Sequence, residues 1–119
     1  MGWLYVFIGG GLGSLCRYGI NTIIQTHHLK LPVATITANV LAGLIAGLLT
    51  GYVLRHESNE TIMLLGVVGF CGGFSTFSTF SLENVQLWQS GHFGAVLANV
   101  VLSVVLCFGS VWLGLRIAS

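Results

Sequence analysis

Charged side chains are scarce in this sequence. Four Lys or Arg and three Asp or Glu make up 6% of 119 residues, against about 25% in ordinary soluble domains. So few charges cannot cover a surface that faces water, which disfavours soluble enzymes, disordered tails and nucleic-acid binders. The formal net charge of +1 leaves neither a basic stripe nor an acidic tail. Hydrophobic residues make up 55% of the chain, which points to lipid as its main solvent.

Signals of catalytic and metal sites are also missing. The three cysteines, Cys16, Cys71 and Cys107, lie in apolar runs without a CxxC pair, and we expect inert thiols. The four histidines have no neighbouring cysteine or carboxylate that would complete a metal site. The chain has neither a GxGxxG motif nor a Walker lysine, and no nucleophile–base pair. No enzyme class is favoured.

Long uncharged runs are what the sequence has in abundance. A membrane-spanning helix needs roughly 20 apolar residues. Four such spans fit, and short polar linkers separate them: about 2–24, 33–54, 61–89 and 93–116. The sequence therefore predicts a single all-α integral membrane domain, 1–119, with four transmembrane helices.

The orientation of these spans is weakly encoded. Arg55 and Arg116 would face one compartment and Lys30 the other, which is a small bias under the positive-inside rule. Two interpretations stay open. The chain inserts in one orientation with little signal, or it inserts both ways and pairs head-to-tail.

Glycines recur at helical spacing. Gly43, Gly47 and Gly51 lie four residues apart, so they share one helix face, and Asn39 is one step earlier on that face. Small residues at this spacing let helices approach closely in lipid. The glycines therefore predict tight helix packing, whereas the Asn39 amide needs a partner or a water-filled path inside the bilayer.

Two further polar features leave alternatives open. Gly9 and Gly13 repeat at the same spacing and lead to Arg17, which is either an interfacial anchor beside Tyr18 or a vestibule charge that attracts anions. In the fourth span one row carries small and polar side chains: Ala95, Asn99, Ser103 and Cys107. These polar groups either bond each other and neighbouring helices or line a narrow path.

The third span carries the clearest chemical signal. Residues 69–83 combine two adjacent glycines with a run of serines, threonines and phenylalanines, which is poor helix material in mid-membrane. A helix can break there only where the freed backbone groups are buried or line a cavity. Freed carbonyls suit a small hard cation, and half-helix N-termini suit anions. Phe74, Phe77 and Phe80 either pack or present their positive ring edges to an anion.

Three motifs resemble those of the Fluc/CrcB fluoride channel family. They are Gly-Phe-Cys-Gly-Gly-Phe-Ser-Thr-Phe-Ser-Thr-Phe at 69–80, Gly-x-x-x-Gly-Ser-x-x-Arg-Tyr at 9–18 and Thr-x-x-Ala-Asn-x-x-x-Gly at 35–43. The resemblance extends over the whole chain, including its length and layout of spans. It implies a fluoride-selective channel in the bacterial inner membrane, built as an antiparallel, dual-topology homodimer with two pores along the subunit interface.

The resemblance also implies roles for individual residues. The pore-lining positions that match the family are Phe77, Phe80, Asn39, Ser78, Thr79, Ser103 and Glu83. Arg17 matches a first-span vestibule arginine. The backbone carbonyls of Gly72 and Ser75, taken twice across the dimer axis, would hold a structural Na⁺. At Asn99 the chain departs from the tyrosine that some members carry.

The sequence thus predicts passive fluoride efflux, which confers fluoride resistance, with fluoride, a second copy and the lipid bilayer as partners. Nucleic acid is not expected to bind. A fluoride/proton exporter is the nearest rival. A small multidrug exporter is less well supported, because no carboxylate precedes Glu57 in the chain. A structural membrane subunit would not need hydroxyl groups in mid-span.

Overall fold

The described part of the chain is helical. A computed structural model describes residues 1–24, 31–56 and 60–119. Helix α1 covers Gly2–Ile23, α2 Val33–Arg55, α4 Phe77–Gln89 and α5 Phe93–Ala118. Helix α3 covers residues 60–74: Glu60–Ile62, a π-helical stretch Met63–Cys71, and Gly72–Phe74. No strand is present in these residues. Predicted linker residues 25–30 and 57–59, including Lys30 and Glu57, lie outside them.

Within residues 1–24, 31–56 and 60–119, three helical stretches are long and apolar enough to cross a membrane. They are Val33–Arg55, Glu60–Gln89, which joins α3 and α4, and Phe93–Ala118. Large apolar side chains stay exposed along the molecule, with Trp3 at 92% and Phe108 at 75%. This agrees with lipid as the surrounding solvent, because such a surface would be unfavourable in water.

Glycines bring the helices together in two pairs. In the α2–α5 pair, a Cβ on Gly47 would meet the Val111 backbone oxygen, and one on Gly114 would meet that of Leu44. In the α1–α3 pair, a Cβ on Gly9 would meet the Leu65 backbone oxygen. Helix backbones touch at these positions, which confirms the predicted role of the glycine stripes.

The helix of the third span breaks at two residues only. Ser75 (φ −78°, ψ 157°) and Thr76 (φ −151°, ψ 123°) are extended, whereas Gly72–Phe74 remain helical. A Cβ on Gly73 would meet the backbone oxygen of Gly10. Gly73 therefore serves the contact with α1, and the chain changes direction two residues later, at Ser75.

Alanine substitutions at two glycines of the same helix test this packing. A Cβ at Gly13 would meet the backbone oxygen of Phe70, while nothing lies within 4 Å of one at Gly11. We expect Gly13→Ala to lower the free energy of unfolding by about 1–3 kcal/mol, because backbone must move to admit the methyl group. Gly11→Ala is the matched control, since alanine favours helix there. Thermal unfolding in detergent measures both, and equal midpoints would contradict the packing account.

Candidate functional site

The backbone at the break is paired by a side chain from α2. The Thr76 N–H donates to Asn39 Oδ1 at 2.7 Å, and Asn39 Nδ2 donates to the Thr76 carbonyl oxygen at 3.2 Å. One amide side chain therefore replaces both hydrogen bonds that a continuous helix would have given this residue. Asn39 thus has the hydrogen-bond partner that an amide inside the bilayer requires, in a half-buried position.

Thr76 also starts the next helix. Its Oγ1 accepts from the Thr79 N–H at 3.1 Å and lies 3.3 Å from Ser78 Oγ. Threonine is a favoured N-cap, because its side chain pairs one of the free N–H groups at a helix start. Helix α4 therefore begins at Phe77 with its positive end at the break.

Arg17 reaches the other side of the break. Its Nε donates to the Gly73 carbonyl oxygen at 3.1 Å, across the contact between α1 and α3. Neither interpretation made from the sequence, interfacial anchor or vestibule charge, included this contact. The guanidinium thus pairs a carbonyl oxygen in the last turn of α3. A cation is favourable there because the C-terminus of a helix carries a partial negative charge.

The other carbonyls at the break differ from those of Gly73 and Thr76, which accept hydrogen bonds from Arg17 and Asn39. Ser75 donates twice to the Cys71 carbonyl oxygen, from its N–H at 2.9 Å and from its Oγ at 2.8 Å. Within the described residues no hydrogen bond reaches the carbonyl oxygens of Gly72 or Ser75. These are the two oxygens that the resemblance assigns to a cation, and the structure leaves both available for one.

A groove of about 490 Å³ lies beside the break. Six of the predicted pore and cation-site residues share its lining: Asn39, Gly72, Ser75, Phe77, Phe80 and Ser103. The two phenylalanine ring centroids are 5.6 Å apart, and Phe77 is 78% exposed. Aromatic rings, an amide and a hydroxyl thus face one apolar groove that is open on one side, and no charged side chain lines it.

The other predicted pore residues lie outside this groove. Thr79 and Glu83 line a second pocket of about 520 Å³ with Asn21, Gln86 and Ser90. The buried Oε1 of Glu83 has no hydrogen-bond partner among the described residues. Ser78 is exposed beside the Thr76 hydroxyl. The predicted site residues therefore do not share one pocket: six line the groove, Thr79 and Glu83 line the second pocket, and Ser78 and Arg17 line neither.

The polar row of α5 bonds both within its helix and to α4. Asn99 Oδ1 accepts from Ser103 Oγ at 3.1 Å, and Asn99 Nδ2 donates to Asn84 Oδ1 at 2.8 Å. Sequence reasoning missed Asn84 and the cap at Thr76. Only the cap had a local signal, since threonine is a favoured N-cap residue. The pairing of Asn84 with Asn99 depends on how the helices pack.

The comparisons with known proteins agree with one another. Residues 4–115 match the family model described as CrcB-like protein, Camphor Resistance (CrcB). A Saccharophagus degradans protein is 42% identical over 92% of this chain and 83% of its own length. A Coxiella burnetii relative is 36% identical over 98% of this chain and 97% of its own length. A Salmonella arizonae relative is 39% identical over 88% of this chain and 84% of its own length. All three are named fluoride-specific ion channel FluC. The chain therefore belongs to the CrcB family.

Proposed function

We infer that this protein is a fluoride-specific channel that lets fluoride leave a bacterial cell passively through the inner membrane. The observation that carries the proposal is the groove beside the broken third span, where Phe77, Phe80 and Asn39 meet. The names of the family relatives support the choice of ion. Hydrofluoric acid enters cells by diffusion and ionises inside, so an anion path suffices without an energy source.

A neutral groove can hold a small anion by its dipoles. Aromatic ring edges are positive, and hydroxyl and amide N–H groups donate to anions. The N-terminus of α4 adds a partial positive charge beside Phe77. None of these groups holds an anion as strongly as an arginine would, and conduction needs sites that release what they bind.

The hydrogen bonds at the break indicate which groups would remain free to bind fluoride. Asn39 Nδ2 carries two N–H groups, and one is used on Thr76, which leaves the other for an anion. Phe77 and Phe80 would present their edges to fluoride, and Ser78 and Thr79 would supply hydroxyl donors. Ser103 would line the pore wall with its own proton donated to Asn99 Oδ1. Glu83 would lie near one pore entrance, in the pocket with Thr79. Arg17 would lie on the vestibule side, where its hydrogen bond to the Gly73 carbonyl fixes its position.

Fluoride efflux from liposomes that contain the purified protein tests this function. We expect rapid efflux from the wild type, and efflux reduced at least tenfold in Phe77→Ile and Phe80→Ile, because isoleucine keeps apolar bulk but lacks the positive ring edge. Wild-type efflux in both variants would show that the rings only pack. Efflux that depends on an imposed proton gradient would instead favour the fluoride/proton exporter.

A second copy of the chain would complete the pore. In one copy the groove is open and Phe77 is 78% exposed, so no opposite wall encloses an ion path. We propose four membrane spans, with α1 as the first, and an antiparallel homodimer with two pores along its interface. Insertion in both directions fits the weak charge bias of the sequence.

Thiol labelling in cells tests the dual topology. In a variant without its three native cysteines, Ser119→Cys places one thiol at the exposed end of the chain. A membrane-impermeant reagent applied to spheroplasts should label about half of the copies, and cross-linked dimers should each carry one labelled chain. Labelling of all copies or of none would contradict insertion in both directions.

The break also suits a structural sodium ion. Sodium is a hard cation that takes oxygen ligands, and the carbonyl oxygens of Gly72 and Ser75 accept no hydrogen bond from the described residues. Two copies related by the dimer axis would supply four such oxygens. The ion would hold the two breaks together, while Asn39 and Arg17 keep the neighbouring carbonyls turned toward their own chain.

Replacing sodium by a large organic cation should lower the thermal stability of the purified protein. A bound ion at a hundredfold excess over its Kd stabilises by about 2.7 kcal/mol. Ser75→Ala is the control, because it removes a hydroxyl that bonds to Cys71 and keeps the carbonyl, so the sodium effect should persist. An unfolding midpoint that does not respond to sodium would contradict the site.

A further inference from the structure

Among the described residues, a single side-chain hydrogen bond joins α4 to α5, and the Asn99 amide that forms it is fully buried. Asn99 is 0% exposed, and both ends of its amide are paired, with Ser103 on its own helix and with Asn84 on α4. An amide in apolar surroundings is costly when unpaired, so this side chain strongly favours the arrangement that satisfies it. Among the other helices, α4 packs mainly on α5, so this bond lies at its principal contact.

Asn84 shares a face of α4 with the two pore phenylalanines. Phe77, Phe80 and Asn84 are separated by three and four residues, which is the spacing of one helical stripe. A bond that holds Asn84 against α5 therefore fixes the rotation of α4 about its axis. That rotation decides whether the edges or the faces of the rings point into the groove.

Ser103 sets the direction of the Asn99 amide. Its hydroxyl has one proton, which is donated to Asn99 Oδ1, and the Nδ2 end of the amide is then turned toward Asn84. Ser103 lines the groove with Phe77 and Phe80. Ser103, Asn99 and Asn84 therefore form a continuous chain of hydrogen bonds. It runs from the groove wall through α5 to the face of α4 that carries Phe77 and Phe80.

We propose that Asn99 is a positioning residue: through Asn84 it holds the phenylalanine stripe of α4 at the angle that fluoride passage requires. The inference rests on the proposed channel function. Asn99 would lie in the wall behind the pore and would not touch the ion. Asn84 would transmit its position to α4, a role that neither the local sequence nor the exposure of Asn84 indicates.

Single-channel recording of fluoride current in planar bilayers separates positioning from folding. Asn84→Leu and Asn99→Leu each remove one end of the bond with a side chain of similar volume. We expect the unitary conductance to fall about tenfold in each, which is the effect of about 1.4 kcal/mol. Because both changes break the same bond, the double variant should lose no more than either single one.

Two further variants keep the test decisive. Ser110→Ala is the control on α5, since that buried hydroxyl donates only to Cys107 of its own helix, and its conductance should equal that of the wild type. Asn84→Ala truncates a half-buried side chain and leaves the Asn99–Ser103 bond in place, so it should fold and still lose conductance.

Three outcomes would overturn the proposal. They are wild-type unitary conductance in Asn84→Ala, fewer active channels with unchanged conductance in the leucine variants, and losses that multiply in the double variant. A wild-type protein without fluoride current would instead contradict the proposed function. In that case the Asn84–Asn99 coupling is still measurable from the unfolding midpoints of the same variants, so the two failures remain distinguishable.

Discussion

The structure depends on how two extended residues are accommodated inside an apolar helix bundle. Ser75 and Thr76 interrupt a stretch that would otherwise run from Glu60 to Gln89. Lipid offers no hydrogen bonds, so a freed backbone group needs a partner from the protein or a bound ion, and a buried group without one costs about 1–3 kcal/mol. Asn39 and Arg17 supply partners from two other helices, and the Thr76 side chain supplies a third from within the break.

The helix packing can be understood from this requirement. Arg17 reaches Gly73 only because Gly13 and Gly73 let α1 and α3 touch through their backbones. Asn39 lies on α2, whose glycine face packs against α5 near Val111 and Gly114. Substitutions that separate either helix pair would therefore also withdraw a partner from the break, so packing and site are physically coupled. The same break starts α4 at Phe77, which places the two aromatic rings beside the groove.

Much of the fold could be predicted from local features of the sequence. The scarcity of charge indicated a membrane protein, the spacing of Gly43, Gly47 and Gly51 indicated close helix contact, and the composition of residues 69–83 indicated a break. The exact position of the break could not be predicted. Helix propensity points to the adjacent glycines, yet both remain helical, and Gly73 packs on Gly10 of α1. Nor did composition indicate the π-helical stretch Met63–Cys71.

Side-chain partners were the hardest part of the site to predict. Local spacing put Asn99 and Ser103 on one face, and the structure joins them. Local spacing did not indicate that Asn84, fifteen residues before Asn99, would bond to it, or that Arg17 would bond to Gly73. Such pairs depend on helix crossing and rotation, which are properties of the assembled bundle. Roles of individual pore residues accordingly came from the family resemblance.

In the function proposed above, a neutral groove beside the backbone break conducts one small anion. Ring edges, an amide and hydroxyls stand where a less selective anion path would carry basic side chains. The most direct measurement is the ratio of fluoride to chloride efflux from liposomes that contain the purified wild-type protein. The account predicts rapid fluoride efflux and chloride efflux no faster than from protein-free liposomes. Equal efflux of the two ions would contradict it.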